Sequence, residues 1–344
     1  MAGRTRRARP RRGHGGIRAG DVGEGMEIAT DLVTALAGYR VDALALEVVA
    51  LAARAVDGAI GNETLAPGAV EVAGRGDVPV SVPSERRRHD CPLGGQLGIE
   101  RVRADFDESD YSHTVAIDRY VFDQCRVAVA ETPSAGDPQV IDGVLATREV
   151  DRSGNRFQDS SASSTWSAFT LSGPGGREAR VDGEVERYEF SSYASSTSRK
   201  VRLAEYGDTG GADGPRASSD VALDLSEGYD TTSGVSTFGL SASGTVLDPV
   251  TDGVAVSIAT AVPFERAVPP AAAPTDVSAV PFRGAMRLDA GERGTLELNA
   301  DPGDTDPGSL RVDYVWTGPD GDTRRGTARP FARLGAYAEA GTGG

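Results

Sequence analysis

The chain has 344 residues, 39% hydrophobic, 25% charged and 6% aromatic, with 51 acidic side chains against 36 basic ones and a net charge of -15. That is enough length and apolar content for one large or two ordinary domains with a real core. It excludes a collagen, a wholly disordered chain and an ordinary nucleic-acid binder, whose phosphate-contacting surface is basic.

The charge is unevenly spread. Residues 1–20 hold seven arginines (Arg4, Arg6, Arg7, Arg9, Arg11, Arg12, Arg18) and no acid. Taking those seven from 36 leaves 29 basic residues against 51 acidic, so the remaining chain stands near -22. Lys200 is the single lysine, and asparagine occurs only at Asn62, Asn155 and Asn299. A GC-rich genome drains both types, whose codons are AT-rich. The acid excess instead suits a salty milieu such as a halophile's, where self-repulsion is screened.

The arginine-rich start (1–24) reads as a disordered tail or an upstream start codon. It lacks the interleaved aromatics of a nucleic-acid arm and the apolar stretch of an export signal. From Met26 to Ile60 the apolar residues recur at helical spacing, among them Ile28, Leu32, Leu36, Leu46, Val49, Val56 and Ile60. We therefore expect a helical segment over 25–62, weakened or split at Gly38. Asp42, Glu47 and Arg54 lie inside its most apolar window and argue against a membrane span.

Beyond residue 63 short β-branched runs alternate with Gly, Pro, Asp and Ser clusters, the pattern of an antiparallel β domain reaching about 334. Strands are expected at 96–104, 113–122, 140–149, 164–172, 179–190, 198–206, 220–226, 235–247, 253–262, 283–289, 294–299 and 310–317. A proline-rich loop is expected over 263–281, and a disordered tail over 335–344. Gly143 and Gly183, and again Gly244 and Gly284, stand 40 residues apart, each opening a strand. Such an echo fits repeated units with a bend at equivalent places.

The two cysteines give the sharpest local signal. A hairpin turn on Asp107-Glu108-Ser109-Asp110 makes facing residues sum to about 216, which pairs Cys91 with Cys125 and Ile99 with Ile117. It also gathers Leu97, Ile99, Val115, Ile117 and Val121 on one face. A bridge between Cys91 and Cys125 closes about 35 residues, worth roughly 3 to 4 kcal/mol in the chain-entropy model. Zinc held by both thiols, His89 and a carboxylate is the weaker alternative, because His113 falls on the order of 40 Å from Cys125 along an extended strand. A disulfide implies an oxidising compartment.

Cys91-Pro92-Leu93-Gly94-Gly95, followed by Val121-Phe122-Asp123-Gln124-Cys125, resembles a pattern in uncharacterised envelope proteins of Gram-negative bacteria. In those proteins a C-x-x-G-G strand and an F-x-x-C strand precede glycine-opened β-repeats and a late D-G-D turn, here Asp320-Gly321-Asp322. The resemblance would cover roughly 85–330 and implies an envelope location but no activity.

Motifs of catalysis are missing: no G-x-S-x-G, no G-x-x-x-x-G-K-[ST], no H-E-x-x-H. Asp301, Asp304 and Asp306, and Asp320 and Asp322, are oxygen donors in turns that could take Ca²⁺, though Asp and Gly also build plain turns. Trp166, Tyr188, Phe190 and Tyr193 could form a sugar-stacking platform, Tyr188 and Phe190 sharing one strand face. The expected protein is mainly β: an N-terminal amphipathic helix on one large antiparallel meander sheet, able to curve into an open barrel. The expected role is non-enzymatic, a structural or ligand-binding protein of the periplasm, outer envelope or secreted fraction, with a glycan or apolar ligand and no resident cofactor. The alternative is a polysaccharide- or lipid-directed hydrolase with paired carboxylates on the concave face.

Overall fold

The computed structural model describes Leu36 and residues 38–73, 79–108, 111–128, 138–209, 214–232, 235–248, 254–268, 283–300 and 312–328. The tails expected at 1–24 and 335–344 lie outside these residues. Helix α1 spans Tyr39–Asp57, followed by β1 (Gly61–Thr64), β2 (Gly68–Ala73), β3 (Pro79–Asp90) and β4 (Gln96–Glu108). The long strands come next: β5 (Tyr111–Val127), β6 (Gln139–Gly154), β7 (Phe157–Gly173), β8 (Arg177–Ser191), β9 (Ala194–Asp208) and β10 (Arg216–Asp230). They are followed by β11 (Val235–Leu247), β12 (Ala255–Val268), β13 (Arg283–Asp289), β14 (Thr295–Ala300), β15 (Val312–Thr317) and β16 (Thr323–Ala328).

The sixteen strands among the described residues form one antiparallel sheet. From β3 to β16 each strand pairs with the next in sequence, while β1 and β2 both pair with β3. Among the described residues the two ends of this path do not pair, so the sheet stays open rather than closing into a barrel.

Within the helical segment expected over 25–62, α1 covers 39–57 and is set off at Gly38, where a split was expected. It begins after Gly38, which adopts φ 72°, and ends at Gly58, while Gly61–Thr64 is strand rather than helix. Residues 25–35 lie outside the described set. Val41, Leu44, Ala45, Val48, Leu51, Ala52 and Ala55 are buried, a 3.6-period stripe that packs on one sheet face against β3, β5 and β8. Burial of each large member contributes roughly 1.5 to 3 kcal/mol. Two arginines on the strands anchor the polar flank. Arg177 forks onto Glu47 at 2.7 and 3.0 Å and also reaches Asp208 at 3.1 Å. Arg199, almost fully buried, contacts Asp42 at 2.5 Å and lies 4.3 Å over the Tyr39 ring. No described helix is long and apolar enough to cross a membrane.

This helix-bearing face carries the main core, including Leu97, Phe122, Leu145, Trp166, Phe169, Val185, Val201, Leu223, Leu240, Ile258, Leu288 and Leu298. A second cluster (Val72, Val82, Val102, Ala104, Val115, Val150) sits on the opposite face, because strand neighbours alternate sides. Those side chains cover one another only if that corner of the sheet curls toward the second face.

The curvature has a visible cause. Register breaks fall between Phe122 and Cys125, Asp142 and Val144, Trp166 and Phe169, Asp182 and Gly183, Ser219 and Ala222, and Leu240 and Ser243. They line up across neighbouring strands as one transverse row of bulges, which bends each strand at the same level. The four glycines spaced by 40 belong to this row. Gly143 and Gly183 take φ 96° and 135°, and a Cβ there would stand 2.4 Å from the Ala168 carbonyl oxygen and 2.2 Å from that of Arg202.

Two local expectations need correction. The β4–β5 ladder sets Ile99 against Tyr120 and Val102 against Ile117, three residues from the expected register. Leu97 and Ile99 therefore face the helix, whereas Val115 and Ile117 belong to the second-face cluster. Pro263 is not in a loop: residues 263–268 extend β12, with Pro263 in a stretch where the register to β11 and β13 breaks and no ladder donor is required. Residues 269–281 of the expected loop lie outside the described set.

Candidate functional site

Cys91 and Cys125 form a disulfide with Cα atoms 5.5 Å apart, and both are fully buried. The partners do not face each other across one hairpin. Cys91 opens the β3–β4 turn, where its N–H donates to Gly95 O and its carbonyl accepts from Gly94 N–H, both at 3.0 Å. That turn lies against the end of β5: Leu93 N–H donates to Arg126 O, and Arg126 N–H to Gly94 O. Cys125 follows the first bulge of the row. Both thiols are consumed in the bridge, which removes the thiolates a zinc site would need. His89 is buried opposite Leu97, and desolvation with the nearby Arg87 and Arg101 lowers its pKa, keeping it neutral at pH 7.

The four aromatics do not assemble into one platform. Trp166 is buried on the helix side, edge-on to Phe169 at 4.7 Å. Tyr188 and Phe190 point to the second face, Tyr188 opposite Ser161 and Ser198, and Phe190 opposite Asp159 and Ser196. Tyr193 is exposed in the β8–β9 turn, its carbonyl accepting from Thr231 N–H. Asp320 and Asp322 lie in the exposed β15–β16 turn, closed by Gly318 N–H to Asp322 O at 2.8 Å. Asp301, Asp304 and Asp306 fall outside the described residues. Among those described, no three His, Cys, Asp or Glu side chains are grouped to hold a metal ion.

What the structure does bring together lies around Tyr188. A depression of about 330 Å³ opens on the second face over β6–β9, lined by Arg148, Ser161, Ser163, Glu186, Tyr188, Ser198 and Lys200, among others. Its floor is two rungs of the ladder. One runs Val150, Ser161, Tyr188, Ser198, and the other Arg148, Ser163, Glu186, Lys200. Serines shorten the floor between the taller Arg148, Tyr188, Glu186 and Lys200, which is why the sheet face holds a hollow here. Burial and the neighbouring Asp159 carboxylate raise the Tyr188 pKa, so its hydroxyl stays protonated and can donate. Asp159 in turn has its pKa raised by burial, against the pull of Arg152 and His113.

Many arginines elsewhere on the sheet are paired with acids. Arg86 pairs with Glu100, Arg103 with Asp118, Arg202 with Asp224 and Arg216 with Asp248. Arg148, Glu186 and Lys200 make no ion pair with another described residue, so these groups at the rim of the hollow are available to a ligand. Sequence reasoning singled out Tyr188 but not Arg148, Glu186 or Lys200. The solitary lysine was the one signal that could have drawn attention to this place.

Fold and site together define an open, curved β-sheet protein with a polar, tyrosine-bearing hollow on the face away from its helix. No protein-family model, no curated protein and no solved structure matches the chain.

Proposed function

We propose that the chain is a non-enzymatic binding protein of the cell envelope or secreted fraction, and that its ligand is a glycan seated in the hollow over β6–β9. One observation carries this reading: an exposed tyrosine stands between serines of the two neighbouring strands, with unpaired charges of both signs at the rim. A sugar offers an apolar C–H face for stacking and a girdle of hydroxyls for hydrogen bonds, and the hollow offers partners for each. Its 330 Å³ falls at the lower end of ligand-site volumes, roughly 300 to 1,000 Å³. The helix weighs against the hydrolase reading, because it occupies the apolar face where a carboxylate-lined cleft would have to open. The buried Cys91–Cys125 bridge supports an oxidising compartment.

Calorimetric titration of the full chain against neutral and acidic oligosaccharides tests the proposal. At least one should bind, and Tyr188→Ala should weaken it about tenfold, equivalent to about 1.4 kcal/mol. The reading fails if no oligosaccharide binds or if Tyr188→Ala binds as well as the parent. New reducing ends in the titrated glycan would favour the hydrolase.

A further inference from the structure

We propose that the glycan held in this hollow is acidic, a polymer carrying carboxylate groups, and that Lys200 and Arg148 are the residues that select it. This rests on the glycan reading above and goes beyond it in naming the ligand's charge.

The argument starts from an imbalance. The chain carries -15 overall, yet the unpaired charges at the rim are Arg148 and Lys200 against Glu186 alone. Arg187, which also lines the hollow, is partly engaged by Glu189 at 3.5 Å. A molecule short of cations has thus left two of them exposed and uncommitted within one small concavity. They lie three strands apart on one rung: Arg148 on β6 and Lys200 on β9, joined through Ser163 and Glu186. Adjacent strands are spaced about 4.8 Å, so three steps span on the order of 14 Å, the reach of two to three sugar units rather than one.

Neighbouring chemistry points the same way. Asp224, the other cross-strand neighbour of Lys200, is engaged by Arg202 through two hydrogen bonds of 2.9 and 2.7 Å. Lys200 is therefore left without a committed acid on that side. Glu186 lies between the two cations and accepts hydrogen bonds from sugar hydroxyls while repelling a carboxylate placed directly over it. That pattern favours a ligand whose carboxylates alternate with neutral hydroxyl-bearing stretches over a fully charged polyanion. The net negative charge of the rest of the molecule does not forbid the interaction. At physiological salt the screening length is about 8 Å, so distant acids are muted while contacts at the rim are not.

Lys200 also supplies its own probe. As the single lysine of the chain, its ε-amine is the only side-chain amine that an acylating reagent can modify. Full-length protein is titrated with short oligogalacturonate and with the same oligosaccharide methyl-esterified, which keeps the sugar backbone and removes the charge. Oligogalacturonate should bind at least tenfold more tightly than its ester, and Lys200→Gln and Arg148→Gln should each erase most of that difference. Bound oligogalacturonate should also slow acetylation of Lys200 several-fold by peptide mass spectrometry, while the ester leaves it unchanged. Both side chains are exposed, so the variants should match the parent in circular dichroism and melting.

Equal binding of acid and ester, or oligogalacturonate binding unaffected by both substitutions, overturns the acidic-ligand inference while leaving the glycan reading standing. Failure of every oligosaccharide to bind overturns both.

Discussion

If the transverse row of bulges is what curves the sheet, a methyl group at its tightest glycine should be far more damaging than one at an open glycine. Gly183→Ala is the perturbation. Its φ of 135° is a region that side-chain-bearing residues rarely adopt, costing about 1 to 3 kcal/mol. The new Cβ would also meet Arg202 O at 2.2 Å and Leu203 Cα at 2.7 Å, both backbone atoms of the adjoining strand. Backbone cannot rotate away as a side-chain tip can, so relief requires a local shift of the ladder, worth roughly another 1 to 3 kcal/mol. The expected loss is about 4 kcal/mol. Spread over 344 residues unfolding as one unit, that lowers the melting temperature by about 6 °C. Two controls separate the causes. Gly175→Ala has a positive φ of 73° but nothing within 4 Å, so it should lose only about 1 to 2 kcal/mol. Gly207→Ala has neither constraint and should be neutral or stabilising by about 0.4 to 1 kcal/mol. Urea unfolding followed by circular dichroism ranks the three. A Gly183→Ala variant no less stable than Gly175→Ala would refute the claim that close strand approach at the bulge row sets the curvature.

Two further outcomes follow from named contacts. Removing the disulfide with Cys91→Ala and Cys125→Ala should cost about 4 kcal/mol, since the cross-link closes 35 residues in the unfolded chain; because both sulfurs are buried, native protein incubated with dithiothreitol and then freed of it by gel filtration should show no thiol to Ellman's reagent, and ready native-state reduction would contradict the burial. Burial acts to raise the Glu100 pKa, but the Ser84 and Arg86 hydrogen bonds of 2.7 and 2.8 Å outweigh it and hold the carboxyl below its ordinary 4.5. A depressed acid stabilises the fold above its unfolded pKa and loses that contribution as pH falls through the folded one. Glu100→Gln should therefore be less stable than the parent at pH 7 but not at pH 2.5, and a gap in urea midpoint that persists unchanged at pH 2.5 would be the wrong result.

Much of the sheet was legible because alternation survives in each long strand: every one of the twelve strands expected from the pattern is present. Those missed carry either prolines or little burial, β1 and residues 323–326 of β16 being almost wholly exposed. β3 contains Pro79 and Pro83, which read as breakers. Yet β3 pairs only with β2 until Ser84, where β4 joins, so one side of the strand at those prolines needs no donor. β16 offers Thr323-Arg324-Arg325-Gly326, with no apolar alternation to read. The β4–β5 register slipped for a related reason. The acidic run suggests a turn on Asp107-Glu108-Ser109-Asp110, but Asp105 and Asp107 flank Phe106 as the exposed side of a strand that runs on until Glu108 faces Tyr111. The hollow was less legible still. Tyr188 and Phe190 share a face by simple alternation, whereas placing Arg148 beside Lys200 needs three successive registers, and an error of a single residue in any of them moves a side chain to the other face.

The disulfide was expected from a register that does not exist, and the reason it forms anyway ties the helix, the turn and the curvature into one device. Beyond Asp123 the β5 chain bulges, with Gln124 at φ 49°, and this extra residue rotates Cys125 back onto the helix side of the sheet. The β3–β4 turn then folds over that bulge through the Leu93–Arg126 and Arg126–Gly94 hydrogen bonds, which delivers Cys91 to the same side. The helix ends on this turn: a Cβ on Gly58 would come within 2.8 Å of the Pro92 ring. The first bulge of the row is thus held by a covalent bond on one side and by the helix terminus on the other. Bulges in the following strands are held only by pairing with their neighbours. The edge bearing the disulfide is therefore the fixed end of the curved sheet, and loss of the bridge should loosen the helix terminus before it loosens the hollow, which lies on the opposite face and at the other end of the strands.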